Sequence, residues 1–175
     1  MQGVLRDGLL EGTTVLAAPA TGYTAACARL GADVGTLDTD LFDEDATAAA
    51  VPSCAALVVD AAALFGDGGP EALRRALDAT WTAVRATANE AFIPVEGGKV
   101  VLVGPRADAG DHALALRAAL ENLARVSSIE WARYAITPTA VLPGPASSDD
   151  EVAEVVAYLV SPAGDYFAGC LLEMQ

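Results

Sequence analysis

Basic residues are scarce in this chain: Lys and Arg total 10 against 24 Asp and Glu, giving a formal charge of −14 and a sequence pI near 4.2. A surface so charged repels nucleic-acid phosphates and anionic lipid, and no basic patch offsets it. Nucleic acid and membrane are therefore not expected partners. The acids are scattered (Asp38, Asp40, Asp43, Glu44, Asp45, Asp149, Asp150, Glu151) rather than massed in a tail, which reads as a solvated surface. Cysteine is limited to Cys27, Cys54 and Cys170, with no CxxC pair. That argues against a zinc site or a disulfide framework and fits a reducing cytoplasm. No apolar run reaches the roughly eighteen residues that suggest a membrane span. The stretch MQGVLRDGLLEG lacks the charged-then-apolar layout of a signal peptide. Aromatics make up only 6% while hydrophobic residues make up 53%, so the core must come largely from Ala, Val and Leu. Small side chains let helices approach a sheet closely, which suits a layered α/β architecture. At 175 residues the chain is expected to form one domain spanning 1–175.

Short apolar runs alternate with helical stretches. Strands are expected at 13–18, 33–41, 55–60, 99–103, 135–142 and 167–173, and helices at 23–30, 43–51, 70–92, 109–134 and 149–160. Gly31 stands where a helix C-cap belongs, and Pro70 suits a first helical turn. Leu116, Leu120, Leu123 and Ile129 recur near helical spacing. The alternation implies a parallel sheet of about six strands between two helical layers, a Rossmann-like doubly wound fold.

The second half of the chain resembles the short-chain dehydrogenase/reductase family, as a shortened and degenerate member. GGKVVLVGP, from Gly97, is similar to that family's fifth strand, usually written GGxIVNISS. LRAALENLARVSSIEWARYAI (116–136) resembles its catalytic helix, TAVLPG (139–144) the strand and turn that follow, and EVAEVVAYLVSPAGDYFAGCLLEM the last helix and strand. LLEGTTVLAAPATGYTAACARLGA resembles, more loosely, the first strand, turn and helix. Where the family has two strands with a helix between them, residues 33–41 supply one.

The resemblance places the family's functional positions on residues of altered chemistry. The glycine-rich turn that meets a dinucleotide diphosphate falls on Ala18 to Ala25. Only Gly22 is a glycine there, Pro19 removes an amide donor, and Tyr23 and Ala25 add side chains. The ribose-binding acid falls on Asp38, with Asp40 beside it; both suit a solvent-facing strand end. The fourth-strand NNAG reads Asp60, Ala61, Ala62, Ala63. The catalytic tyrosine, a general acid/base whose pKa the nearby lysine lowers, falls on Ala113, and the lysine on Arg117. The serine falls on Pro105 or Gly104, and the asparagine on or beside Asp78. His112, the single histidine, adjoins the lost tyrosine position and reads first as a surface or capping residue. Glu130 and Trp131 match a structural pair. The family's substrate-closing segment is missing, since 143–148 leads straight into the last helix.

The expectation is a non-catalytic member, with no cofactor and no metal. It would act as a structural or regulatory subunit, assembled as a dimer or tetramer or with a catalytic short-chain dehydrogenase. In related enzymes the two long helices and the last helix and strand build the tetramer. Ala118, Ala119, Ala124, Ala79, Ala83 and Ala86 offer close-packing faces for such contacts. An NAD(P)-dependent oxidoreductase with a non-standard site, using His112 or Arg117, is the alternative. A small-ligand binder using the crevice at the strand C-termini is the third reading.

Overall fold

A computed structural model describes residues 5–175, so the first four residues of the stretch read for a leader lie outside the described residues. Six strands form one sheet: β1 (Thr14–Ala18), β2 (Asp33–Thr36), β3 (Ala56–Asp60), β4 (Gly98–Val103), β5 (Ile136–Leu142) and β6 (Cys170–Glu173). Their order across the sheet is β2-β1-β3-β4-β5-β6, and every pairing is parallel. β3 is buried along its whole length, as a central strand covered on both faces must be.

Among the described residues the α-helices are α1 (Ala25–Arg29), α2 (Glu44–Ala50), α3 (Ala61–Phe65), α4 (Pro70–Thr87), α5 (Ala113–Glu130) and α6 (Asp149–Val160). Strand alternation sorts the core into two layers. Leu16, Leu57, Leu102 and Ile136 face α4 and α5, where Phe65, Phe92, Leu116 and Leu120 complete one apolar cluster. Val15, Val58, Val101 and Val141 face α1 and α6, with Cys27, Leu30, Val152 and Val156. The three-layer α/β/α architecture expected from the sequence is the one observed.

The elements depart from their sequence-based bounds for local reasons. β2 stops at Thr36 instead of Leu41, because Leu37 and Leu41 turn into the core and Asp38 stands exposed beyond the strand. It lies beside β1 at the sheet edge, so it holds the second-strand place in the 3-2-1-4-5-6 order of doubly wound folds, and among the described residues no strand holds the third. α2 meets α4 through the Arg85–Glu44 ion pair, and the loop before it through Phe42, whose ring lies under Arg75. The helix expected from residue 109 starts at Ala113, since Gly110 and His112 both take positive φ. α4 ends at Thr87 and continues as a π-helical turn, Ala88–Phe92. The last strand is confined to Cys170–Glu173, preceded by a 3-10 turn over Pro162–Tyr166.

The alanine faces are mostly spent inside the molecule. Ala79, Ala83, Ala86 and Ala124 are buried, so they pack within the fold and are unavailable to a partner; Ala118 is exposed and Ala119 half-buried. Ile129 was grouped with Leu116 and Leu120 by spacing, yet it is 76% exposed. Thirteen residues carry it about 220° round the helix from Leu116, onto the outer face.

α6 has the best-defined start. Ser148 accepts from the Glu151 backbone N–H, and the Glu151 carboxylate accepts from the Ser148 backbone N–H at 2.8 Å. This reciprocal capping box satisfies two donors that a helix start otherwise leaves free.

Candidate functional site

In a doubly wound sheet, ligands bind beyond the carboxyl ends of the strands, at the point where strand order reverses. Here that point lies between β1 and β3. The loop leaving β1 runs through the cis Ala18–Pro19 peptide to Thr21, which caps the 3-10 turn Gly22–Thr24. Across the gap, Asp60 ends β3 and caps α3 by accepting from the Ala63 N–H at 2.8 Å. The Thr21 hydroxyl donates to the second Asp60 oxygen at 2.6 Å, so the two strand ends are tied to each other over the switch point. Gly22 is exposed, with no atom within 4 Å of where a Cβ would sit.

The neighbouring strand ends are tied more tightly. Arg117 enters from α5 and is only 6% exposed. One of its terminal nitrogens donates to the carbonyls of Pro105 and Pro143, each at 2.9 Å, and the other to Glu173 at 2.9 Å. A single guanidinium thus binds the residues that follow β4 and β5 together with the end of β6. The rigid fork and permanent charge of arginine suit this three-way bridge; a lysine ammonium has neither that reach nor that geometry. Arg106 adds a second bridge, donating to the Gly144 carbonyl at 2.7 Å and to Asp149 at 2.9 Å.

Other predicted residues are dispersed or filled in. Ala113 is buried beside this bridge, one turn before Arg117. Pro105 and Gly104 are buried, and a Cβ on Gly104 would press on Leu142 and Leu120. Asp78 points away from the strand ends and pairs with Arg74 on the outer face of α4. His112 takes the N-cap place of α5 with φ of 71°, makes no capping hydrogen bond and is exposed. Asp38 and Asp40 lie in the loop after β2, both exposed, where Asp40 accepts from the Phe42 N–H at 3.0 Å. Among the described residues no three His, Cys, Asp or Glu side chains converge as metal ligands, and no helix is long and apolar enough to cross a membrane.

Sequence reasoning passed over Tyr23 as more than an obstruction and did not single out Thr21 or Arg106. Tyr23 is half-buried near Asp60, Asp149 and Arg106. Burial foremost, then the two carboxylates, push its phenol above the ordinary range, and Arg106 offsets this only in part. A phenol shifted upward holds its proton at neutral pH, opposite to what a tyrosine base requires. The strand-end acid followed by AAAL at 60–64 was an available N-cap signal for α3 and for this cluster.

Comparison with known proteins bears on the fold. No family model matches the sequence, and no curated protein matches it. Solved structures do. A short-chain dehydrogenase from Mycobacterium smegmatis superposes with a TM-score of 0.78 at 23% identity, covering 100% of this chain and 96% of that one. The BdcA protein of E. coli gives 0.74 at 25% identity, covering 95% and 100%. A citronellol catabolism dehydrogenase of Pseudomonas aeruginosa gives 0.78 at 18%, covering 99% and 98%.

Proposed function

We propose that this chain, which is built on the short-chain dehydrogenase/reductase fold, is a non-catalytic member of that group acting as an oligomeric structural or regulatory subunit. The observation that carries this reading is Arg117. The sequence resemblance sets it at the family's lysine position and Ala113 at that of the tyrosine, while its guanidinium is bound to Pro105, Pro143 and Glu173. A methyl group transfers no proton, and a buried arginine bound to two carbonyls is not free to tune or replace the missing acid. A nicotinamide dinucleotide does not fit the residues at the switch point. Pro19 offers no amide N–H, the Thr21–Asp60 bond spans the crevice, and Asp60 and Asp149 bring two carboxylates near Tyr23 in the same turn.

The subunit part of the reading rests on surface. Leu114, Val126 and Ile129 on α5 and Trp81 on α4 are large apolar side chains left exposed on the two long helices. A second copy of this chain could cover them in a two-fold interface.

A thermal-shift series with NADH and NADPH tests the silent site. A nucleotide at one hundred times its dissociation constant adds about 2.7 kcal/mol to stability, so absence of any shift at millimolar nucleotide is expected. Turnover of either nucleotide by the purified chain, or its binding beside Pro19 and Gly104, would overturn the reading. Sedimentation tests assembly. Dimers or larger species are expected, with Ile129→Arg shifting them toward monomer. A strict monomer that joins no catalytic dehydrogenase would remove the subunit role.

One observation favours a second reading. Two of the solved structures that the chain resembles over nearly its whole length are named as dehydrogenases. An NAD(P)-dependent oxidoreductase with a non-standard site would then have to work through His112 or Arg117. The same nucleotide titration separates the two.

A further inference from the structure

The opposite end of the sheet is open. Beneath the N-termini of β1, β3, β4 and β5 lies a cavity of about 640 Å³, reaching Gly12, Thr14, Cys54, Gly97, Lys99 and Thr137. That volume is within the usual range for small-molecule sites, roughly 300–1,000 Å³. Neither Gly12 nor Gly97 has an atom within 4 Å of where a Cβ would sit, so both open onto free space.

The wall chemistry narrows the ligand. Thr14, Ser53 and Thr137 bring three hydroxyls, while Ala55, Val95 and Ala135 supply apolar contact. The one cation in the wall is already engaged. The Lys99 ammonium donates to the carbonyl of Ser161 at 2.5 Å, lies 3.4 Å from that of Leu159, and pairs with Asp165 at 2.5 Å. An ammonium has three donors, and these three acceptors use them. An anion entering the cavity would find no free counter-charge, inside a chain whose formal charge is −14. A cation would compete with Lys99 for Asp165. An uncharged molecule carrying several hydroxyls meets neither penalty, since hydroxyl groups match the wall as donor and acceptor and C–H faces match its apolar part.

We infer that this cavity binds a small, uncharged, polyhydroxylated molecule of the size of a sugar or cyclic polyol. The site is independent of the strand C-termini and of the oligomeric reading above. Cys54 is a reporter within the wall, its thiol buried and pushed up to about 11 by desolvation, so it reacts slowly but measurably with a thiol reagent at raised pH.

The test titrates the full chain with ribose, glucose and inositol, with ribose 5-phosphate as the charged counterpart, and follows backbone amide resonances and Cys54 labelling. At least one uncharged probe is expected to shift the amides of Gly12, Ala55, Gly97 and Thr137 with saturation. At ten times its dissociation constant it should slow Cys54 labelling about tenfold, by occupancy alone. Gly97→Trp projects an indole into the free space and should abolish both effects, while its amide spectrum outside the cavity shows that the chain is folded. Absence of saturable shifts with all three uncharged probes would overturn the inference. So would equal or tighter binding of ribose 5-phosphate, or unchanged responses in Gly97→Trp.

Discussion

The two ends of the parallel sheet are built on contrary plans. At the carboxyl ends, side chains reach across the gaps between strands: Thr21 to Asp60, Arg117 to the residues after β4 and β5 and to β6, Arg106 to the turn after β5 and to α6. At the amino ends Thr14, Ser53 and Thr137 are small polar side chains, Gly12 and Gly97 leave space, and the one long cation is drawn off to the C-terminus of α6. Doubly wound folds place their ligands at the carboxyl ends because helix N-termini and loops converge there. Here charge-assisted bonds join the strand ends to one another across those gaps as a clasp. The contrast is that side chains bridge the strands at one end of the sheet and leave space between them at the other.

The largest effect should come from opening the clasp. Arg117→Ala leaves the Pro105 and Pro143 carbonyls without their donor in a buried setting. Hydrogen bonds to a charged partner contribute about 1.5–3 kcal/mol each. The Glu173 contact adds little, because that carboxylate is 68% exposed and screened by solvent. Urea denaturation should therefore show a loss of about 3 kcal/mol, with an unchanged m-value. Arg117→Lys keeps the positive charge but not the fork, so intermediate stability and no gain of nucleotide binding are expected. A stability loss below about 0.5 kcal/mol for Arg117→Ala, the range of ordinary surface substitutions, would mean that the clasp is not structural.

The sheet itself was legible in the sequence, and the clasp was not. β1, β3, β4 and β5 announce themselves as apolar runs because both faces of each are covered, and α6 as an acidic start followed by an amphipathic run. α3 went unread: five residues between a strand and Gly66 carry no period, and only the Asp60 cap betrays them. The overlong reading of 33–41 followed from counting Leu37 and Leu41 as strand positions, when they are loop residues folded back into the core. The family resemblance draws attention to Arg117, but its partners lie 12, 26 and 56 residues away in the chain, beyond any local pattern. The cavity draws its wall from residues 12 to 165, so no segment signals it. Local periodicity reveals buried strands and helices; contacts made between loops at the strand ends come only with the assembled topology.

At the open end, the packing limit is set by Gly98. A Cβ there would overlap the Phe92 ring, which is fully buried in the core on the α4 and α5 face. Gly98→Ala should cost about 1–3 kcal/mol, the usual penalty for overpacking a filled core. Gly97, one residue earlier, meets nothing, so Gly97→Ala should change stability by no more than about 0.5 kcal/mol. Thermal denaturation of the pair reads the difference directly. Equal losses would show that the space beside Gly97 is not free in solution, and the contrast between the two ends would shrink.

The smallest effect concerns the entry to α6, which rises from the closed end. The Glu151 carboxylate accepts from the Ser148 backbone N–H and hydroxyl, and these bonds hold its pKa below the ordinary value. A carboxyl group whose folded pKa lies below its unfolded one stabilises the native state above the unfolded pKa. That contribution fades as pH falls through the folded value. Its full strength is therefore expected near neutrality, with loss confined to acidic solution beneath the ordinary carboxylate pKa of about 4.3. Glu151→Gln keeps an acceptor in the capping box and removes only the charge. Melting temperatures of the two proteins should differ at neutral pH, the natural chain being the more stable, and converge as the solution is acidified toward pH ~3. A constant gap across that range would place the benefit in the neutral hydrogen bonds of the cap, and the charge at the start of α6 would have no part in holding the closed end together.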